Sequence, residues 1–112
     1  MIYVFLDDPT TKRIIFELVK EVKCFDNAVE FLDGIHKESE PIVVIGGNMD
    51  IKKTIELIKT IRVSKNKAKI FVVTTSGQEF DRDTLIENGA DYVVTKPFSP
   101  KLLKEKLIQP GQ

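Results

Sequence analysis

The chain has 112 residues, close to the commonest size of a single domain, so we predict one domain over residues 1–112. Basic and acidic residues both number 17, and this balance argues against a nucleic-acid-binding protein, which usually carries net positive charge. Hydrophobic residues make up 42% and charged residues 30%, a composition typical of a soluble globular protein rather than a disordered one.

Three further features bear on localisation. No apolar segment approaches the ~20 residues that a membrane-spanning helix needs. The start, MIYVFLDD, has no basic leader and reaches acidic residues after six positions, which argues against a signal peptide. The single cysteine, Cys24, excludes an internal disulfide and lies in an apolar run, where burial keeps a thiol unreactive. We therefore expect a cytoplasmic protein that does not bind membranes.

Apolar runs of strand length alternate with segments of helical period in the first part of the chain. The first run is IYVFL (2–6). Pro9 suits the first turn of the helix that follows, whose apolar stripe is Ile14, Ile15, Leu18, Val19 and Val22. VKCF (22–25) predicts a short second strand. Asp26 or Asn27 can cap the second helix, whose stripe is Ala28, Phe31, Leu32 and Ile35.

The same alternation continues to the end of the chain. IVVI (42–45) predicts the third strand, and the third helix has the stripe Ile51, Ile55, Ile58 and Ile61. KIFVVTT (69–75) and DYVV (91–94) predict the fourth and fifth strands. Between them, EFDRDTLIENG (79–89) predicts a helix stopped by its final glycine. Ser99 caps the last helix, whose inward-facing residues are expected to be Leu102, Leu103 and Leu107.

Five strand–helix pairs in strict alternation predict an α/β fold, a doubly wound parallel sheet with helices on both faces. The first, third and fourth strands are apolar at consecutive positions, as expected when helices cover both faces. In such sheets, function gathers at the carboxyl ends of the strands. The candidate residues at these ends are Asp7, Asp8, Gly46, Gly47, Asn48, Thr74, Thr75, Ser76, Thr95, Lys96 and Pro97.

Three stretches at these strand ends resemble the receiver domain of two-component response regulators: VFLDDP (4–9), VVTT (72–75) and GADYVVTKPFSP (89–100). The resemblance covers almost the whole chain, in the same order and with similar spacing. It implies a flavodoxin-like three-layer sandwich around a five-stranded parallel sheet of order 2-1-3-4-5. In that family, an aspartate at the end of the third strand accepts a phosphoryl group from a histidine kinase. Acids after the first strand help to hold Mg²⁺, and a hydroxyl residue and a lysine contact the phosphoryl oxygens.

The motifs assign most of these roles to residues of this chain. Asp7 and Asp8 match the acidic pair, Thr74 matches the hydroxyl residue and Lys96 matches the lysine. A gap-free match around LDDPTTKRI would instead place Leu6 and Asp7 at the paired positions. The peptide bond before the proline of TKPF is often cis in this family, which gives the motif a structural role.

The acceptor position is the point at which this chain departs from the family. Counting back from TIELIKTIR puts the acceptor at Gly46, and counting forward from the proline before the third strand puts it at Gly47. Glycine offers no nucleophile, so the resemblance implies a pseudo-receiver that lacks the phosphoacceptor and has no catalytic residue. We expect no resident cofactor, with Asp7 and Asp8 attracting Mg²⁺ only weakly. One hypothesis is that Lys96, left without a phosphoryl group, pairs directly with one of these two acids.

We therefore expect a non-enzymatic signalling module that works by protein–protein contact, including contact between two copies of the chain. In the receiver family, the fourth helix, fifth strand and fifth helix form the common output and dimer face. On this chain that face would include Glu87, Tyr92, Val94, Lys101, Lys104 and Glu105. Tyr92 is the expected anchor, because tyrosine is enriched at binding hot spots.

Two alternatives belong to other classes. One is a functional phosphoacceptor or small-anion-binding domain, which would use Asp50 as a shifted acceptor or hold an anion in the Gly46–Gly47 loop. Asp50, however, also fits the N-cap position of the third helix. The other is one piece of a larger protein with a separate output domain, which the tail QPGQ (109–112) neither supports nor excludes.

Overall fold

A computed structural model of the chain describes residues 1–65, 67–75, 77 and 79–108. The predicted tail (109–112) and the candidate Ser76 lie outside the described residues. Within them, five strands alternate with five helices, as predicted: β1 (Ile2–Leu6), α1 (Pro9–Leu18), β2 (Val22–Cys24), α2 (Ala28–His36), β3 (Ile42–Gly46), α3 (Ile51–Ser64), β4 (Lys69–Thr74), α4 (Glu79–Glu87), β5 (Tyr92–Thr95) and α5 (Pro100–Ile108). In this described part of the chain, no helix is long and apolar enough to cross a membrane.

The strands form one parallel sheet in the order β2-β1-β3-β4-β5, which confirms the order that the resemblance implies. The register pairs Leu6 with Gly46, Gly46 with Val73, and Thr74 with Thr95. The carboxyl ends of β1, β3, β4 and β5 therefore lie side by side, and the residues that follow them can meet at one edge.

Two apolar cores cover the two faces of the sheet. One lies beneath α2, α3 and α4 and includes Phe31, Ile58 and Leu85. The other lies beneath α1 and α5 and includes Ile15 and Leu103. All five of these side chains are almost fully buried, so helices cover both faces of the central strands. This coverage accounts for the apolar residues at consecutive positions of these strands.

The first helix ends earlier than the sequence predicts. The apolar stripe was expected to run to Val22, but α1 ends at Leu18, and Val19 is its C-cap with extended backbone. Val22 instead begins β2, which ends at Cys24 rather than at the predicted Phe25. Phe25, one residue beyond the strand, is 7% exposed and its ring packs into the core beneath α2.

The remaining element ends follow the predicted signals closely. Asn27, rather than Asp26, caps α2, while Asp50 caps α3 and the hydroxyl of Ser99 caps α5. The strands β3, β4 and β5 each end within one residue of the predicted bound. The expected inward orientation of Leu102 is wrong, since this residue is 47% exposed. The buried stripe of α5 is set instead by the two leucines that lie four residues apart.

Arg62 on α3 holds the loops around β4 and β5 in place. Its Nε and Nη2 donate to the carbonyl oxygen of Gly89 at 3.0 and 2.6 Å, and its Nη1 donates to that of Ala68 at 2.5 Å. Nη2 also lies 2.7 Å from Oδ2 of Asp91, which accepts a hydrogen bond from the amide of Ile70 at 2.7 Å. One guanidinium group therefore binds the loop after α4 and the starts of both strands.

Replacement of Arg62 tests this network. We expect Arg62→Ala to lower the free energy of unfolding by about 2–3 kcal/mol, because carbonyl groups and a carboxylate lose their charged donor. The matched control is Arg13→Ala on α1, whose side chain is 83% exposed and lies 3.6 Å from Glu17, and which should cost no more than about 0.5 kcal/mol. Urea denaturation of both variants measures the difference, and equal losses would contradict the assignment.

Candidate functional site

The sequence-predicted site residues come together at the carboxyl edge of the sheet. Each directly ends or follows one of four neighbouring strands: Asp7, Asp8, Gly46, Gly47, Thr74 and Lys96. Leu6, the alternative member of the acidic pair, is 3% exposed and packs in the core beneath α1 and α5. The two carboxylates at this edge are therefore those of Asp7 and Asp8.

An ion pair between Lys96 and Asp8 lies at the centre of the site. Nζ of Lys96 is 2.6 Å from Oδ2 of Asp8 and 3.2 Å from Oδ1 of Asn48. The two charged side chains are only 20% and 12% exposed. The pair confirms the hypothesis that Lys96 contacts one of the acids directly, and it identifies Asp8 as the partner.

The carboxylate of Asp8 has further partners in α1. Its Oδ1 accepts a hydrogen bond from the amide of Thr10 at 3.2 Å, which makes Asp8 the N-cap of this helix. Its Oδ2 accepts from Oγ1 of Thr11 at 2.6 Å. The hydrogen bond from Lys96, followed by that from Thr11, lowers the pKa of Asp8 from 3.8 to about 2, although burial opposes the shift.

Thr11 is a site residue that the sequence reasoning missed. It is 1% exposed, and its hydroxyl is used inside the site. The available signal was its position three residues after the capping Asp8, since a polar side chain at that spacing can reach back to the cap.

Asp7 holds the loop that follows β3. Its Oδ1 accepts a hydrogen bond from the amide of Asn48 at 2.6 Å. Gly46 and Gly47 precede that amide with positive φ angles of 112° and 90°. The amide of Gly47 donates to the carbonyl oxygen of Val73 at 2.8 Å. The backbone donors of Gly47 and Asn48 are thus both used within the chain.

Glycine is favoured at positions 46 and 47 by the positive φ angles and by the lack of space for a Cβ atom. A Cβ atom on Gly46 would collide with the carbonyl oxygen of Val73. A Cβ atom on Gly47 would lie 2.5 Å from Oδ1 of Asp7 and 3.1 Å from Cβ of Asp8. A side chain at either position would force the backbone or the acids to move, and the positive φ would add strain. The carboxylate of Asp7 has taken the space that a side chain at position 47 would need.

Most of the carboxylate oxygens that a Mg²⁺ ion could use at this edge are engaged within the chain. Such an ion needs oxygen ligands in near-octahedral geometry, usually including one or two carboxylates. Three of the four carboxylate oxygens of Asp7 and Asp8 already accept hydrogen bonds, and the ammonium group of Lys96 contacts Asp8 directly. Among the residues that the structure describes, no three His, Cys, Asp or Glu side chains form a group that could hold a metal ion.

Thr74, the Lys96–Pro97 peptide bond and Cys24 have contacts that fit a role in the fold rather than in chemistry. Thr74 is 7% exposed, and its carbonyl oxygen accepts a hydrogen bond from the amide of Lys96 at 2.8 Å. The peptide bond between Lys96 and Pro97 is cis, as the resemblance implies. Cys24 is half-buried on β2, and burial raises the pKa of its thiol, in agreement with an unreactive role.

The residues predicted on the contact face differ in how exposed their side chains are. Tyr92 is half-buried, with its ring centroid 5.8 Å from that of Phe71 and Nζ of Lys106 5.5 Å from its own ring centroid. Val94 is only 8% exposed because it packs into the core beneath α1 and α5, so the expectation that it offers contact surface is wrong. The exposed members are Glu87, Lys101, Lys104 and Glu105. Lys104 borders a groove at the opposite edge of the sheet.

Comparisons with known proteins agree with this geometry. Residues 5–108 match the family model described as "Response regulator receiver domain". A chemotaxis protein CheY homolog of Campylobacter jejuni is 29% identical over 111 residues, covering 91% of this chain and 85% of the relative. CheY1 of Helicobacter pylori is 29% identical over 100 residues, covering 88% and 79%. The solved structure of the chemotaxis response regulator CheY4 of Vibrio cholerae superposes with a TM-score of 0.80 at 19% identity, covering 96% and 95%.

Introducing an acid at the end of β3 tests the packing of the glycine loop. We expect Gly46→Asp to lower the free energy of unfolding by at least ~2 kcal/mol, because the new Cβ meets a backbone carbonyl group at a strained φ. The matched control is Gly77→Asp, since a Cβ atom there meets nothing within 4 Å. Thermal and urea unfolding compare the two variants, and equal stability would show that the loop accepts a side chain without cost.

Acid titration tests the ion pair. The pKa of Asp8 is lower in the folded chain, so its ionised form stabilises the fold above pH ~4, and this contribution is lost as the pH falls towards 2. The shift corresponds to roughly 2 kcal/mol. We expect Lys96→Met to lower the melting temperature at pH 7, and the difference from wild type to shrink in acid. Lys101→Met on the surface of α5 is the control, and an unchanged melting temperature for Lys96→Met would contradict this role.

Proposed function

Because the chain belongs to the response regulator receiver domain family, we propose that it is a signalling module that acts through protein contacts without a phosphorylation switch. The observation that carries this proposal is the end of β3, where Gly46 and Gly47 provide no carboxylate to accept a phosphoryl group. In the proposed role, the chain is not an enzyme, and its output depends on the concentration of its partners.

The ion pair between Lys96 and Asp8 also supports the proposal. In a phosphorylated receiver, the lysine at the position of Lys96 contacts the phosphoryl oxygens. Here the same ammonium group is 2.6 Å from Asp8, in a pair whose side chains are largely buried. A phosphoryl group would have to compete with Asp8 for Lys96, and a Mg²⁺ ion would have to compete with Lys96 for Asp8, so either one opposes a contact that the chain already makes. We therefore propose a site with one stable arrangement and no resident Mg²⁺.

Hydrogen bonds within the chain favour this function over anion binding in the Gly46–Gly47 loop and over phosphorylation of Asp50. The amides of Gly47 and Asn48, which an anion in the loop would use, donate to Val73 and Asp7. Asp50, the candidate for a shifted acceptor, uses its Oδ1 to accept from an amide at the start of α3 at 3.0 Å. An anion in the loop would have to break the first two hydrogen bonds, and a phosphoryl group on Asp50 would add bulk and charge to a carboxylate that caps α3.

We propose the surface formed by α4, β5 and α5 as the contact surface for a protein partner or a second copy. A cavity of about 260 Å³ on this surface includes Tyr92 and Leu102, and an adjoining cavity of about 600 Å³ includes Ile86. Arg82 and Thr95 line both cavities, which makes the surface continuous. Ile86 and Leu102 are 42% and 47% exposed, so they offer apolar area beside charged neighbours, an arrangement typical of protein interfaces. We place this activity in the cytoplasm, without a nucleic-acid partner.

Phosphoryl transfer from a small donor tests the proposal directly. The chain is incubated with acetyl phosphate and Mg²⁺, and its intact mass is compared with that of an untreated sample. We expect no phosphoryl adduct, because no carboxylate stands at the end of β3 and Lys96 is bonded to Asp8. A receiver domain that retains an aspartate at the end of its third strand is treated in parallel and should gain the mass of one phosphoryl group.

A stoichiometric adduct on this chain would refute the proposal. Its position would then be assigned with the variants Asp7→Asn, Asp8→Asn and Asp50→Asn. Loss of the adduct in Asp50→Asn alone would favour the shifted acceptor, whereas loss in Asp7→Asn would identify the acid that contacts the glycine loop.

A further inference from the structure

An open groove of about 810 Å³ lies at the amino edge of the sheet, opposite the Lys96–Asp8 pair. It runs between the ends of α1 and α5, where these helices leave the sheet. Its floor is apolar and is formed by Ile2, Val19, Ile42 and Leu107. Ile108 at the border is 55% exposed, so the apolar surface continues onto the outside of α5.

The border of the groove carries an excess of positive charge. Four lysines line it, against two glutamates: Lys20, Lys67, Lys69, Lys104, Glu21 and Glu40. Glu21 lies 3.9 Å from the amino group of Met1, so one of the two negative charges already has a partner. The chain as a whole has a formal net charge of zero, so this excess is a local property of the groove. A ligand that complements it must be both acidic and apolar.

We propose that the groove binds an acidic peptide segment of a partner protein. An apolar side chain of that segment lies on the floor, and its carboxylates contact the exposed Lys20, Lys67 and Lys104. This inference goes beyond the proposed function, because the groove is separate from the Lys96–Asp8 site and from the cavities that Tyr92 and Ile86 line, and it shares with the first surface only the last turns of α5. It holds whether or not the chain accepts a phosphoryl group.

The shape of the groove favours a peptide over a small ligand. Small-molecule sites bury most of the ligand surface, about 70–90%, whereas this groove is open along its length. A segment held by its own protein needs to bury only one side, and its acidic groups can reach the lysines that line the groove.

A defined peptide probe tests the inference on the full chain. The probe is the acetylated and amidated peptide Glu-Leu-Glu-Phe-Asp-Leu, titrated against the ¹⁵N-labelled protein by NMR. We expect saturable shifts in the amide signals of Val19, Leu107 and Ile108, and weaker binding as salt is added. A second peptide with Gln and Asn in place of the acids should bind at least about ten-fold more weakly.

Charge reversal supplies the matched variants. The double variant Lys20→Glu, Lys104→Glu should weaken binding of the acidic peptide by at least about ten-fold. Lys53→Glu, Lys59→Glu on α3 makes the same change in net charge away from the groove and should keep the affinity of the wild type. The dispersion of the amide spectrum verifies that each variant is folded.

Three results would overturn the inference. They are the absence of shifts at the groove with millimolar peptide, equal binding of the uncharged peptide, and tighter binding of dodecanoate at the same residues, which would identify a site for small amphiphiles. A chain ending at Ile108 should bind the acidic peptide at least as tightly as the full chain, and loss of binding in that variant would also contradict the proposed occupant.

Discussion

The ion pair between Lys96 and Asp8 joins residues 88 positions apart and holds the carboxyl edge of the sheet together. The same carboxylate begins α1 as its N-cap and accepts a hydrogen bond from the hydroxyl of Thr11, so one side chain fixes a helix start and the residue after the last strand. A charge as poorly exposed as that of Lys96 needs a partner, since an unpaired buried charge costs several kcal/mol. In this chain the partner comes from within the fold.

The glycine loop after β3 depends on the neighbouring acid in a related way. Asp7 accepts the amide of Asn48, and its carboxylate lies where a side chain at position 47 would stand. At the same time, the backbone of Gly46 packs against the carbonyl oxygen of Val73. The lack of an acid at the end of β3 is therefore accompanied by a loop whose φ angles and contacts suit glycine. The acids, the loop and Lys96 form one set of mutually dependent contacts rather than a receiver site with one group removed.

The sequence could predict the order of elements and the edge at which polar residues meet, because apolar runs and helical stripes have distinct periods. It could also predict that Lys96 would pair with an acid, although the choice of Asp8 over Asp7 depends on side-chain geometry that periodicity does not encode. Leu102 was misjudged because three leucines of α5 compete for a buried face that holds only two. The expectation that Val94 offers contact surface was wrong because β5 is covered on both faces, and Val94 therefore packs into the core. The groove at the amino edge had no sequence signal, since its walls come from the ends of elements far apart along the chain.

The two edges of the sheet differ in how their charges are matched. At the carboxyl edge, the ammonium group of Lys96 is satisfied by Asp8 and Asn48 inside the chain. At the amino edge, lysines outnumber acids around an apolar floor, which is the basis for the acidic peptide proposed there. The helix α5 runs from one edge to the other, with Leu102 in the first surface proposed for a partner and Leu107 in the groove. A partner at either surface therefore contacts α5. Two partners can change each other's affinity only if each one favours a different position of this helix. Under the proposed function, such a chain would then respond to which partners are present rather than to phosphorylation.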